Sequence, residues 1–290
     1  MALDNSEIQA SIRKLRKSLK ESATQLAPED VHKLRTRVRR FTALTKALPL
    51  ANGRKSKRLM RRLKRIRQKA GKVRDMDVLT SHLAALDTDT EQTCLTQLFE
   101  YLGANRYRYA AKLRRLLRKN GRMLRKKLRM ISRELKSGDA KADAKGGAAS
   151  TEAAAHVLQM AADLAQPAQL SRTNLHPYRL KVKKLRDVIA ISADGGNRKF
   201  IDALGECKDA IGEWHDWEEL IGIAKNHLER EPTCSLLSDL KATSKRKLDA
   251  ALSATAKLRN SYVKPEASRR GKGRTKMSPA ALKAVSRLVP

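Results

Sequence analysis

Apolar residues in this chain recur three and four apart, the spacing that lines one face of an α-helix. Ile8, Ile12, Leu15, Leu19 and Leu26 make a first series and predict a helix over residues 6–26. A second begins at Pro28-Glu29-Asp30, where proline suits the first turn and acids suit the positive end of the helix dipole. It runs to about Leu48, before Pro49. Leu59, Leu63, Ile66, Ala70 and Val73 predict a third helix from about Lys55 to Leu86. Gly71 interrupts it, permitting either a kink or the close approach of a neighbour. A fourth, near 90–136, carries Leu113, Leu117, Leu124, Leu128, Ile131 and Leu135, with Asn120 as a polar member of the stripe.

Residues 137–150 are small, polar and glycine-containing, which reads as a linker. Beyond them the plan restarts, with helices near 151–165, 174–193 and 198–230, a break at Pro232 and a last helix to about 262. An Asp194-Gly195-Gly196-Asn197 turn stands where the first half has its Asn52-Gly53 turn. Residues 264–290 mix glycine with Arg269, Arg270, Lys272, Arg274 and Lys276 and read as a mobile basic tail. The expected organisation is one domain over 1–263, made of an N-terminal helical half (1–136), the linker and a C-terminal helical half (151–263).

The restart repeats particular residues. His32-Lys33-Leu34-Arg35-Thr36-Arg37-Val38-Arg39-Arg40-Phe41 matches His176-Pro177-Tyr178-Arg179-Leu180-Lys181-Val182-Lys183-Lys184-Leu185. On a helix, His32, Arg35 and Arg39 share one stripe, and Val31, Leu34, Val38 and Phe41 fill the neighbouring one. His176, Arg179 and Lys183 sort the same way beside Leu175, Tyr178, Val182 and Leu185. Further on, the segment from Gly71 through Arg74, Asp75 and Asp77 to Leu79 matches the segment from Gly212 through His215, Asp216 and Glu218 to Leu220, at a constant offset of 141. The histidines differ by 144, so the second connection is shorter by three residues. Two agreements in order, separated by a small indel, indicate an internal duplication. The expected fold is all-α: two antiparallel four-helix bundles related by a pseudo-two-fold axis.

Composition sharpens this picture. Of 290 residues, 41% are hydrophobic and only 3% aromatic, so a core is affordable and it is built mainly from leucine and alanine, both helix formers. Sixty-four Lys and Arg against 30 Asp and Glu leave a net charge of +34, which a free protein of this size would not carry without a polyanion to meet. Residues 1–136 hold 37 bases and 12 acids, a balance of +25, so the anion should lean on the first half. Cys94, Cys207 and Cys234 are dispersed and odd in number, which fits a reducing, intracellular setting without a disulfide framework. No apolar run approaches a signal core or a membrane span, so a soluble cytoplasmic protein is expected.

The duplicated His-x-x-Arg-x-x-x-[Arg/Lys]-[Arg/Lys] helix, each copy followed by Gly-x-x-[Arg/His]-Asp-x-[Asp/Glu]-x-Leu, resembles the CHAD family, the conserved histidine α-helical domain. The resemblance covers about residues 6–262. It implies two four-helix bundles around a basic central groove, and the binding of inorganic polyphosphate by a stand-alone module located in the cytoplasm, at polyphosphate granules. The Glu-x-Glu-x-Lys strand of the triphosphate-tunnel domains to which some members are fused does not occur in this chain. Carried over, the binding stripe is His32, Arg35, Arg39 and Arg40 in one half and His176, Arg179, Lys183 and Lys184 in the other. The residues themselves add two rows of bases beside core stripes: Arg58, Arg62, Arg65 and Lys69 on the third helix, and Arg114, Arg118 and Arg125 on the fourth. Arg115, Arg122 and Arg129 face away from the fourth helix's stripe. Arg62 and Arg65 correspond to Ala203 and Glu206, so only the first half has the third-helix reinforcement.

Such residue types suit a linear anion without bases or sugars, which only charge and hydrogen-bond donors can read. Arginine donates twice to one phosphate, lysine supplies a point charge, and histidine a charge that varies near neutral pH. Rows on adjacent helices would join into one cationic track. The competing reading is a nucleic-acid-associated basic protein; against it, ten scattered aromatics make no stacking platform and no recognition-helix motif is present. An enzyme hydrolysing phosphate esters or polyphosphate is disfavoured by the lack of a metal-binding carboxylate constellation, and no Walker loop, His-x-x-x-His pair or serine elbow occurs. Neither metal nor cofactor is expected. The acids Asp75, Asp77, Asp216 and Glu218 are expected to orient neighbouring arginines.

Overall fold

The computed structural model describes residues 5–47, 54–86, 92–135, 155–192, 198–228 and 235–263, and every regular element among them is helical. The all-α expectation holds. In order these are α1 (Asn5–Glu21), α2 (Pro28–Ala47), α3 (Arg54–Ala84), α4 (Gln92–Glu134), α5 (155–162, running into a 3-10 turn at Asp163–Ala165), α6 (Leu175–Ser192), α7 (Arg198–Leu228) and α8 (Leu236–Tyr262). Contacts divide the chain into two compact units, residues 1–144 and 145–290. The expected linker at 137–150, the turns at Asn52-Gly53 and 194–197, the Pro232 break and the tail at 264–290 lie outside the described residues.

In the first unit α1 packs on α2 and α4, and α3 packs on the same two, so α2 and α4 stand diagonally across the core. The apolar stripes of all four helices meet there: Ile12, Leu15, Val31, Leu34, Phe41, Leu63, Ile66, Leu113 and Leu124 are buried together. Pro28 sits in the first turn of α2, and the Ala27 carbonyl accepts from the Asp30 and Val31 amides. Polar ties then fix which helix meets which. Arg37 donates to the Lys14 carbonyl at 3.1 Å and to the Ser18 hydroxyl, joining α2 to α1. Gln9 donates to the Ser132 carbonyl at 2.7 Å and accepts from the Ser132 hydroxyl, joining α1 to α4. The buried Asp77 carboxylate accepts from Arg106 Nε at 2.6 Å, and Arg106 Nη2 donates to the Leu26 carbonyl at 2.9 Å. A buried charge is tolerated here because it is paired.

The second unit packs α6 on α7, α7 on α8, and the 3-10 turn on α6. Its core draws Val157 and Leu164 from the first segment, Tyr178 and Leu185 from α6, Phe200, Leu204, Ile211 and Trp214 from α7, and Ala251 and Leu258 from α8. Pro177 falls in the first turn of α6, where its missing N–H is not needed. Arg259 of α8 closes the unit. It donates to the carbonyls of Leu164 (3.1 Å), Pro167 (2.6 Å) and Ala168 (3.0 Å) and stacks 4.9 Å from the Tyr178 ring centroid. Burial pushes the Tyr178 hydroxyl up to about 12, against the pull of Arg259. Glu218 accepts from Arg172 Nε at 3.0 Å and from the Ser244 hydroxyl, tying α7 to the loop before α6 and to α8. Asp77 and Glu218 thus have the partner-fixing role expected of them.

The cysteines depart in part from expectation. Cys207 is free and buried, and burial pushes its thiol up to about 12. Cys94 is disulfide-bonded, where the dispersed cysteines led to no disulfide being expected. Spacing along the chain carries no information about which distant residues folding brings together.

Removing the Arg259 latch leaves three carbonyls without their donor. Arg259→Leu should lower stability by about 2–3 kcal/mol in urea unfolding. Lys257→Leu, which removes only an exposed ion pair to Glu206 at 3.7 Å, should change it by less than about 1 kcal/mol.

Candidate functional site

The motif stripe of α2 borders α3. A Cβ built on Gly71 of α3 would lie 3.9 Å from Arg35 Nε, and further along the same pair of helices the Thr45 hydroxyl reaches Met60 Sδ at 3.7 Å. These two contacts set an antiparallel register that brings Arg74 opposite His32 and Arg67 opposite Arg39. The charge at the His32 end is felt by Glu29. Its carboxyl is held below the usual range first by its hydrogen bond to Lys33, and further by His32 and Arg74.

The second unit repeats the register. The His176 and His215 rings stand 4.2 Å apart between centroids, tilted by 48°. Arg179 lies over Gly212 so closely that its Nη2 is 2.6 Å from where a Cβ would be, and its Nε donates to the Lys208 carbonyl at 3.3 Å. Arg186 lies over Gly205 with Nε 3.4 Å from the Cβ position. Between these contacts the register sets Lys183 opposite Lys208. The two sequence motifs are therefore two sides of one seam. His-x-x-Arg on one helix runs antiparallel to Gly-x-x-[Arg/His] on the next, so histidine meets the Arg or His, and arginine meets the glycine. A three-residue step advances about 4.5 Å along either helix, which keeps both pairs aligned.

Each seam differs in how its cations can titrate. His215 has its pKa lowered, chiefly by burial and then by the charge of His176, with Arg179 adding to the effect and Asp216 and Glu218 opposing it. The first seam has the permanently charged Arg74 at that place.

The other rows of bases do not join the motif stripe. Arg58, Arg62, Arg65 and Lys69 occupy the opposite flank of α3, towards α4: Arg62 Nη1 lies 3.3 Å from Met123 Sδ, and Lys72 Nζ lies 5.5 Å over the Tyr109 ring. Arg114, Arg118 and Arg125 occupy the flank of α4 that faces α1, where a Cβ on Gly121 would come within 3.8 Å of the Leu19 carbonyl. The expectation of one continuous track is corrected: the three rows of the first unit run along three different seams. Arg40 and Lys184 are exposed, half a helical circumference from the core-facing stripe. His32, Arg58, Arg65 and Arg118 are also exposed, while Arg35, Arg39, Arg62, Lys69, Arg114, Arg125, His176, Arg179 and Lys183 are half-buried. The seam residues missing from the sequence-level site are Arg67, Arg74, Lys208 and His215. The Gly-x-x-[Arg/His] spacing was the signal for Arg74 and His215, readable only once it is set against His-x-x-Arg, whereas Arg67 and Lys208 lie four residues before each glycine and outside that motif.

Among the described residues no group of three or more His, Cys, Asp or Glu is placed to hold a metal ion. No described helix is long and apolar enough to cross a membrane. The family model described as the CHAD domain matches residues 7–225, more than half of the chain and both seams, and the protein belongs to that family. Searches of curated proteins and of solved structures returned no match.

Two measurements probe the seams. A histidine whose folded pKa lies below its ordinary 6.5 binds fewer protons folded than unfolded. Its stabilising contribution is whole above that ordinary value and is lost as pH falls through the lowered one. The thermal midpoint should therefore drop between roughly pH 7 and pH 5, and His215→Gln should flatten that slope. Gly71→Ala meets only ordinary contact with Arg35 and should stabilise by about 0.5–1 kcal/mol through helix propensity. Gly212→Ala must displace the Arg179 guanidinium and should gain less; an equal gain in urea unfolding would refute the tight seat.

Proposed function

We propose that this CHAD-domain protein binds inorganic polyphosphate along its motif seams, without catalysis, as a module that targets or scaffolds polyphosphate bodies. One observation carries the reading. Each seam sets the cations of a motif helix against those of a long helix, while the carboxylates Asp77 and Glu218 are spent on holding helices together. Polyphosphate presents charge at every unit and no face for stacking or base reading, which matches a surface rich in cationic donors. Membership of the CHAD family supports the same ligand. Binding of this kind releases condensed counterions, so affinity falls steeply with salt.

A salt-titrated competition tests the reading. Long-chain polyphosphate should displace duplex DNA from the protein at equal phosphate concentration; tighter binding of DNA would overturn it in favour of a nucleic-acid-associated protein. The double substitution Arg39→Gln with Arg67→Gln should weaken polyphosphate binding and reduce the slope of log affinity against log salt by about 2, one for each lost phosphate contact. Incubation with magnesium and polyphosphate should release no orthophosphate, and turnover would replace the binding module with an enzyme.

A further inference from the structure

One line of α4 gathers cations that lie outside the seams of the first unit. Starting at Arg108 and stepping alternately four and three residues to Arg133, every position is Lys or Arg, and all eight are exposed. The line lies directly opposite the buried stripe of Leu113, Leu117, Leu124 and Leu128. It extends about 37 Å. No Asp or Glu occurs anywhere from Tyr101 to Arg133. Among the described residues none of the eight pairs with a carboxylate, and the polar side-chain contact on the line is Arg108 Nη2 to Asn105 Oδ1 at 2.8 Å.

An ordinary solvated helix face interleaves charges of both signs. The outer faces of α1 and α2 do so, through Lys17 with Glu21 and Lys33 with Glu29. On α4 every neighbour three or four residues away along the line carries the same sign, which works against the helix unless an anion lies on it. Because α2 and α4 stand diagonally across the core, the line faces away from the α2–α3 seam.

We infer that this outer line of α4 is a second polyphosphate track, set back to back with the α2–α3 seam, so that the first unit holds two polymer segments at once and cross-links them. The inference rests on the polyphosphate reading above. The shape of the line favours a linear chain over a duplex. It is one side chain wide, and one border is apolar, with Met123 and the half-exposed Met130. A duplex presents phosphates on both sides of a groove about 12 Å wide and needs cations to either side. No aromatic residue stands within the line to stack a base.

The test uses the full chain and the triple variant Arg115→Gln, Arg122→Gln, Arg129→Gln, whose positions are exposed and outside every seam. Wild-type protein mixed with long-chain polyphosphate should scatter light strongly below charge equivalence and clear in excess polymer. The variant should keep its helical circular-dichroism signal, bind one fewer short polyphosphate chain per molecule, and lose the scattering while still binding. Unchanged stoichiometry and scattering would overturn the second track. So would loss of duplex DNA binding with polyphosphate stoichiometry intact, which would make the line a nucleic-acid surface. If wild-type protein bound no polyphosphate at all, the proposed function itself would fall, an outcome separable from failure of the track alone.

Discussion

A guanidinium laid against the bare backbone of a neighbouring helix is the contact that sets how closely the two helices of the second seam approach. Any side chain at Gly212 would occupy the place of the Arg179 head group, and the glycine there is what allows α6 and α7 to approach with a cation between them. Glycine weakens a helix interior, so its presence in the middle of a 31-residue helix marks a site where close approach outweighs local stability. Once the arginine is seated, the histidine one turn earlier in the motif has its position decided, beside Arg74 in one unit and His215 in the other. The two ends of each seam are coupled through the rigidity of the helices that carry them.

The fold was legible because helical periodicity is a local property. Core stripes such as Val31, Leu34, Val38 and Phe41 could be read from spacing alone, and all four are buried. The site was legible only in part. His32, Arg35 and Arg39 share a flank by arithmetic, but spacing does not say which neighbour that flank meets. Arg62 and Arg35 both border core stripes, yet one looks towards α4 and the other lies over α3. Only tertiary ties such as Arg37 to Lys14, or Gln9 to Ser132, decide the order of helices around the core. Gly71 was visible as a position of close approach or kinking, yet a side chain there would meet Arg35 only in ordinary contact, whereas Gly212 is the glycine on which an arginine is tightly seated. The disulfide at Cys94 left no local trace.

Two seams of one register need not behave alike. The first sets Arg74, which keeps its charge across the physiological range, opposite His32. The second replaces this arginine with His215, half-buried against another imidazole, and replaces Arg67 with Lys208, whose ammonium pairs with Asp209. With two imidazoles in contact, it is the seam whose charge depends more on pH. Arginine-rich and histidine-tuned versions of the same contact thus coexist in one chain.

The match to the family model ends at residue 225, within α7, while the carbonyls around Pro167 and the ring of Tyr178 are held by Arg259, far beyond it. The family's motif residues and the structural closure are therefore carried by different stretches. A fragment trimmed to the family boundary would retain every motif residue and yet open the hydrophobic interior where Ala251, Leu258 and Val263 now sit. Domain limits drawn from sequence similarity mark what the family shares, whereas the packed core of the second unit includes residues of α8.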